Sequence, residues 1–132
     1  MQFFLSRFSG ETFALMRIMT GFLFLWHGSQ KLFGFPADMP AGGSAFVVYA
    51  GGAIEFFGGL LVLFGLFTRW AAFLCSGQMA VAYWWAHGTK AFFPLLNGGE
   101  MAALYCFVFL YFAAAGGGPW SLDRRHSRKR RS

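Results

Sequence analysis

Four stretches of this sequence, residues 13–30, 45–67, 70–86 and 100–115, run almost without charge at close to the length of a membrane-crossing helix. About 20 mostly apolar residues span the roughly 30 Å of a bilayer's hydrocarbon. Between them lie polar breaks: Lys31 to Ser44 with two prolines and a Gly-Gly pair, the short Thr68-Arg69 turn, and Gly88 to Gly99 with Pro94 and Asn97-Gly98. Short connections make successive helices antiparallel neighbours. The expected fold is all-α, an integral membrane four-helix bundle running up-down-up-down. Three segments are expected: 1–12 as an interfacial lead-in, 13–118 as the bundle, and 119–132 as a basic tail.

Composition excludes a compact soluble enzyme. Of the 132 residues 57% are hydrophobic and 12% charged, where a soluble domain carries about 25% charged residues. The net charge of +6 comes from the end of the chain, where Arg124, Arg125, Arg128, Lys129, Arg130 and Arg131 cluster. The remainder is balanced, with Arg7, Arg17, Lys31, Arg69 and Lys90 against Glu11, Asp38, Glu55, Glu100 and Asp123. A basic tail beside a hydrophobic body reads as a membrane-surface contact with anionic headgroups, not as a nucleic-acid site. Placing the tail in the cytoplasm gathers Arg7 and Arg69 on the same side and leaves Lys31 and Lys90 outside. Both termini are therefore expected in the cytoplasm, with the protein multi-pass in a bacterial-type cytoplasmic (inner) membrane. Arg17 interrupts the first apolar stretch and no basic run opens the chain, which argues against a cleaved leader.

Two cysteines, Cys75 and Cys106, lie in apolar stretches with no disulfide or zinc spacing. They are expected as small apolar side chains. Ionisable groups inside a span cost about 2.5–3.5 kcal/mol each and turn toward the bundle interior. Glu55 shares a helix face with Gly51, Gly58 and Gly59, small residues that allow close helix approach. Arg17 enters from the first helix, and an Arg17–Glu55 buried ion pair is expected between the first two spans.

A second polar group gathers at the other membrane face. His27, Gln30 and Lys31 project from one flank of the first helix, and His87, Lys90, Asn97 and Glu100 lie at a similar depth in the second half. His27, Gln30, Lys31, His87, Asn97 and Glu100 are the candidates for binding a substrate or quinone; no metal site is expected. The halves also resemble each other. Trp26-His27-Gly28-Ser29-Gln30-Lys31-Leu32-Phe33 is similar to Trp85-Ala86-His87-Gly88-Thr89-Lys90-Ala91-Phe92, and each is followed by Gly-Gly and a Glu.

The run His27-Gly28-Ser29-Gln30-Lys31-Leu32-Phe33-Gly34 after an Arg-bearing first span resembles the signature of the DoxX family of small four-helix membrane proteins. Glu55 with Gly58-Gly59, Thr68-Arg69, Asn97-Gly98-Gly99-Glu100 and Ser121-Leu122-Asp123 extend the resemblance from Leu15 to Asp123. The arginine-rich tail lies outside that pattern. The resemblance implies association with thiosulfate:quinone oxidoreductase membrane subunits, or with a mycobacterial membrane complex joining superoxide dismutase and a sulfurtransferase in oxidative-stress defence. It implies an oxidoreductase membrane subunit, not catalytic alone, that contacts quinone and receives electrons from a redox partner. The chain itself is expected to hold no cofactor. Two other functions stay open: a scaffold or assembly factor for partner proteins, and a small-molecule carrier, which would need a homodimer.

Overall fold

The computed structural model describes residues 3–131; Met1, Gln2 and Ser132, the outermost residues of the expected lead-in and tail segments, lie outside the described residues. The chain is helical and, among the described residues, has no strand. Helix α1 is Ser9–Phe33, preceded by a 3-10 turn at Phe4–Phe8. It stops at Gly34, whose left-handed φ of 64° turns its N–H back onto the Gln30 carbonyl. Helix α2 is Gly52–Phe64, led in by a wider π turn at Val47–Gly51 and closed by Gly65 at φ 67°. Helix α3 is Thr68–Ala82 and runs on into a π turn at Tyr83–Gly88. The short α4 is Pro94–Asn97, α5 is Glu100–Ala115, and the basic tail contains a further helix, α6, Leu122–Lys129.

Two hairpins form the body: α1 packs chiefly on α2 and α3 on α5, with α2 and α3 joining the pairs. Glycines set the first contact. A Cβ on Gly28 would fall 2.2 Å from the Phe56 amide nitrogen, and one on Gly21 2.5 Å from that of Leu63. The two backbones therefore touch, as small residues allow when helices pack without a hydrophobic driving force between them. Gly58 and Gly59 are buried, Gly59 against Leu25 and Gly58 against the Cys75 sulfur. Their part of the small-residue stripe on α2 is thus covered by α1 and α3 and unavailable to a second copy.

Buried and exposed residues are inverted relative to a water-soluble domain. Arg17 and Glu55 are almost wholly buried, whereas Trp70, Phe73, Trp85, Leu104 and Phe107 are exposed. Exposed apolar area on this scale is rare on soluble monomers. Two helices, Phe4–Phe33 and Val47–Phe64, are long and apolar enough to cross a membrane, and Glu100–Ala115 is a shorter apolar helix.

Candidate functional site

The expected Arg17–Glu55 pair does not form. In the antiparallel register set by the glycines, Gly21 lies against Gly59 and Leu63, and Gly28 against Gly52 and Phe56. Glu55 thus lies level with the Gly28 end of α1, ten residues or about 15 Å along the helix from the level of Arg17. Glu55 belongs to the Lys31 end of the body: Lys31 Nζ stands 2.5 Å from Glu55 Oε1, the one salt bridge among the described residues.

Arg17 finds carbonyls instead of a carboxylate. Fully buried, it donates from Nη1 to Val62 O (2.8 Å) and Leu63 O (2.7 Å), from Nε to Gly117 O (2.8 Å), and from Nη2 to Trp120 O (2.9 Å) and Pro119 O (3.4 Å). A guanidinium has five donors in a fixed fork, and the last carbonyls of a helix carry its negative dipole end. Arg17 therefore ties the end of α2 to residues 117–120. Asp123 completes this end: its carboxylate accepts from the Phe67 and Thr68 amides and the Thr68 hydroxyl at 2.8–2.9 Å, and its own N–H donates to Gly65 O. Phe67 and Trp120, the two non-glycine residues with positive φ among the described residues, both sit in this network. Two strained residues held by a buried cation and a capping carboxylate make this end a structural clamp.

The Lys31 end encloses a cavity of about 660 Å³. Phe24, Met79, Trp85, Met101 and Tyr105 form apolar walls; His27, Lys31, Glu55 and His87 supply polar groups; Met39, Gly42, Gly43 and Ser44 of the α1–α2 connection close one side. Pockets of this size and lining suit small organic ligands. Glu55 is 2% exposed. Its Oε1 accepts from Lys31 and, at 2.9 Å, from Gln78 Nε2, which also donates to Gly51 O at 3.2 Å. Glu55 Oε2 and Gln78 Oε1 are buried without a hydrogen-bond partner. Such buried acceptors are costly unless a further donor satisfies them.

Of the six residues expected to bind, three line this cavity: His27, Lys31 and His87. His27 lies edge-on to Tyr105, with ring centroids 6.1 Å apart. His87 Nδ1 is 3.0 Å from Asn97 O. Asn97 is buried and serves the α3–α5 connection, donating to the Tyr83 hydroxyl and Ala91 O while its Oδ1 accepts from the Gly99 amide. Gln30 donates to Asp38 O and so holds down the covering loop. Glu100 is exposed and outside the cavity lining. It therefore lies apart from the group in which it was expected, while its neighbours Met101 and Ala102 in the same turn of α5 line the cavity. Lys90 is exposed too, so the Lys31–Glu55 bridge has no counterpart in the second half despite the similar sequences.

Gln78 and Tyr105 escaped the sequence reading. Gln78 carried a legible signal, a lone amide in an otherwise apolar third span. Tyr105, among aromatic residues in α5, carried none. Among the described residues no group of three His, Cys, Asp or Glu side chains can hold a metal ion. Cys75 and Cys106 are both free; Cys75 packs toward Ile54 O, while Cys106 lies by the Ser76 hydroxyl.

Comparison with known proteins places these features in a family context. The pattern of the DoxX family matches residues 12–88. The chain is 41% identical over 122 residues to a Haemophilus influenzae protein carrying the name "Uncharacterized protein", covering 88% of this chain and 91% of that one. It is 42% identical over 59 residues to the Bacillus subtilis protein "Putative oxidoreductase CatD", covering 42% of this chain and 44% of that protein. No solved structure matches.

Proposed function

This chain belongs to the DoxX family, and on that premise we propose that it is a multi-pass subunit of the cytoplasmic membrane that binds a quinone for a partner oxidoreductase. The observation that carries the reading is the cavity walled by aromatic and Met side chains and bearing at one place a lysine, two histidines and a buried carboxylate with an unpartnered oxygen. The Bacillus relative's name adds an oxidoreductase connection over under half of either chain. Oxidative-stress or sulfur redox chemistry, implied by the family resemblance, is the context in which such a subunit would work.

The residues present fit a quinone head group. Its carbonyl oxygens need donors, which the Lys31 ammonium and the His27 imidazole provide; its ring needs flat apolar walls, which Phe24, Trp85 and Tyr105 provide. A bound quinone would supply reversible two-electron, two-proton chemistry. Within the protein, Glu55 holds Lys31 through Oε1 and keeps Oε2 available as a proton acceptor. The electrons come from a partner protein, since no electron-carrying group is expected in this chain.

Membrane orientation follows the same reading. Arg7, Arg69 and the tail arginines belong to the end where α1 and α3 start and α2 and α5 finish, while Lys31 and Lys90 belong to the other. The excess of Lys and Arg marks the cytoplasmic face, so four spans run up-down-up-down with both termini inside.

The test is quinone content by mass spectrometry of protein purified in mild detergent, with His27→Ala and Glu100→Ala compared. Quinone retained by the wild type and Glu100→Ala, and lost from a folded His27→Ala, is the expected result. Wild-type protein that carries no quinone, or variants that lose it equally, overturns the reading in favour of a scaffold.

A further inference from the structure

At the Arg17 end a second cavity, of about 610 Å³, opens between α6 and the α1–α2 pair. Its apolar floor is Ile18, Leu63 and Phe64; Arg124, Arg125 and Arg128 rise on the α6 side. Arg124 and Arg128 are four residues apart and Arg125 and Arg128 three apart, spacings that bring side chains to one side of a helix, and all three line the groove. Among the described residues none of these three guanidinium groups is in a salt bridge. Trp120 stands 62% exposed at the rim. Leu63 and Phe64 are the last two residues of α2, so the groove begins where a span ends.

We propose that this groove holds one anionic glycerophospholipid, with its phosphate at Arg124, Arg125 and Arg128 and an acyl chain along Ile18, Leu63 and Phe64. Charge complementarity selects the occupant: three unneutralised cations stand directly over an apolar floor. A zwitterionic lipid brings a cation of its own to the three guanidinium groups, and a free phosphate leaves the floor bare. Arg binds phosphate through two parallel N–H donors, which ammonium cannot do. Trp120 sits where amphipathic rings prefer to lie, at headgroup depth. The lipid then completes the clamp, since Ser121 caps the helix that carries the arginines and Arg17 holds the Trp120 carbonyl. The inference rests on the reading that the body is embedded in a bilayer, but not on the quinone.

The experiment uses the full chain in mild detergent and counts retained lipid by native mass spectrometry. Phosphatidylglycerol, phosphatidylcholine and inorganic phosphate are offered separately to the wild type, to Arg125→Gln/Arg128→Gln and to Arg130→Gln/Arg131→Gln. The two variants lose equal charge, but only the first pair lines the groove. One phosphatidylglycerol per wild-type chain is expected, bound roughly twenty-fivefold more weakly by the groove variant, from roughly fivefold per arginine, and near wild-type strength by the tail variant. Equal weakening in both variants, equal retention of phosphatidylcholine, or inorganic phosphate displacing the lipid at comparable concentration each overturns the proposal. Membrane fractionation of cells separates the two readings: protein absent from membranes fails the bilayer premise, whereas membrane-bound protein without selective lipid fails this inference alone.

Discussion

Lys31 Nζ and Glu55 Oε1 stand 2.5 Å apart between the last turn of α1 and the first of α2, with the Glu55 side chain 3% and the Lys31 side chain 20% exposed. The bridge is asymmetric. Lys31 stays partly exposed on a flexible stem, while Glu55 is buried with Gln78 as a second donor.

Removing the cation should therefore hurt more than neutralising the anion. Lys31→Met leaves a buried carboxylate short of its main partner, at a cost of about 3 kcal/mol. Glu55→Gln frees a lysine that can turn to water and should cost about half as much. Thermal unfolding in detergent of both single variants and of the double variant checks this, the expected coupling being a double variant less damaged than the sum of the two.

The Arg17 network predicts that charge alone is not enough. Arg17→Lys keeps the charge but replaces a planar fork of five donors with a point charge of three. Several of the carbonyls on residues 62, 63, 117, 119 and 120 then lose their partner. A loss of about 3 kcal/mol or more is expected, since buried unsatisfied groups cost about 1–3 kcal/mol each. Fluorescence-detected size exclusion should show little monodisperse Arg17→Lys protein, and Arg17→Lys behaving like the wild type would refute the clamp.

Asp123 reaches across to cap the first turn of α3 from a distant segment. Asp123→Ala removes acceptors for the Phe67 and Thr68 amides and should destabilise by about 1–2 kcal/mol, as the loss of a capping side chain does. Asp123→Asn keeps one acceptor oxygen and should recover part of it. Melting temperatures of the two variants decide the point.

Two glycine-to-alanine changes should move in opposite directions. At Gly28 the new methyl would meet the Phe56 backbone at 2.2 Å and force α1 from α2, whereas at Gly77 nothing lies within 4 Å. Gly28→Ala should abolish or severely reduce folded protein. Gly77→Ala, in a helix interior, should stabilise by about 0.5–1 kcal/mol. Expression and melting of the pair test the α1–α2 contact independently of any ligand.

Helical structure and family were legible before the structure because both rest on local signals: long apolar runs, Gly and Pro breaks, and a contiguous motif from His27 to Gly34. The grouping of His27 with Lys31 was legible for the same reason, since residues four apart share a helix face. Gln78 was visible as a polar residue in an apolar span, yet without a known partner it had no address. The α6 helix was hidden by its charge, as an arginine run reads as a basic membrane-surface tail until Ser121 caps it and Leu122 begins a helix.

Residue pattern alone established that Arg17 and Glu55 must turn inward and be satisfied, because hydrocarbon leaves a charge no other choice. Which groups satisfy them was settled by packing. The partners of Arg17 are backbone carbonyls, which every residue carries and no sequence distinguishes. The partner of Glu55 depends on the antiparallel register of two helices, where ten residues correspond to about 15 Å. That register comes from Gly21, Gly28, Gly52 and Gly59 letting two backbones touch, and it assigns the glutamate to the cavity and the arginine to the clamp.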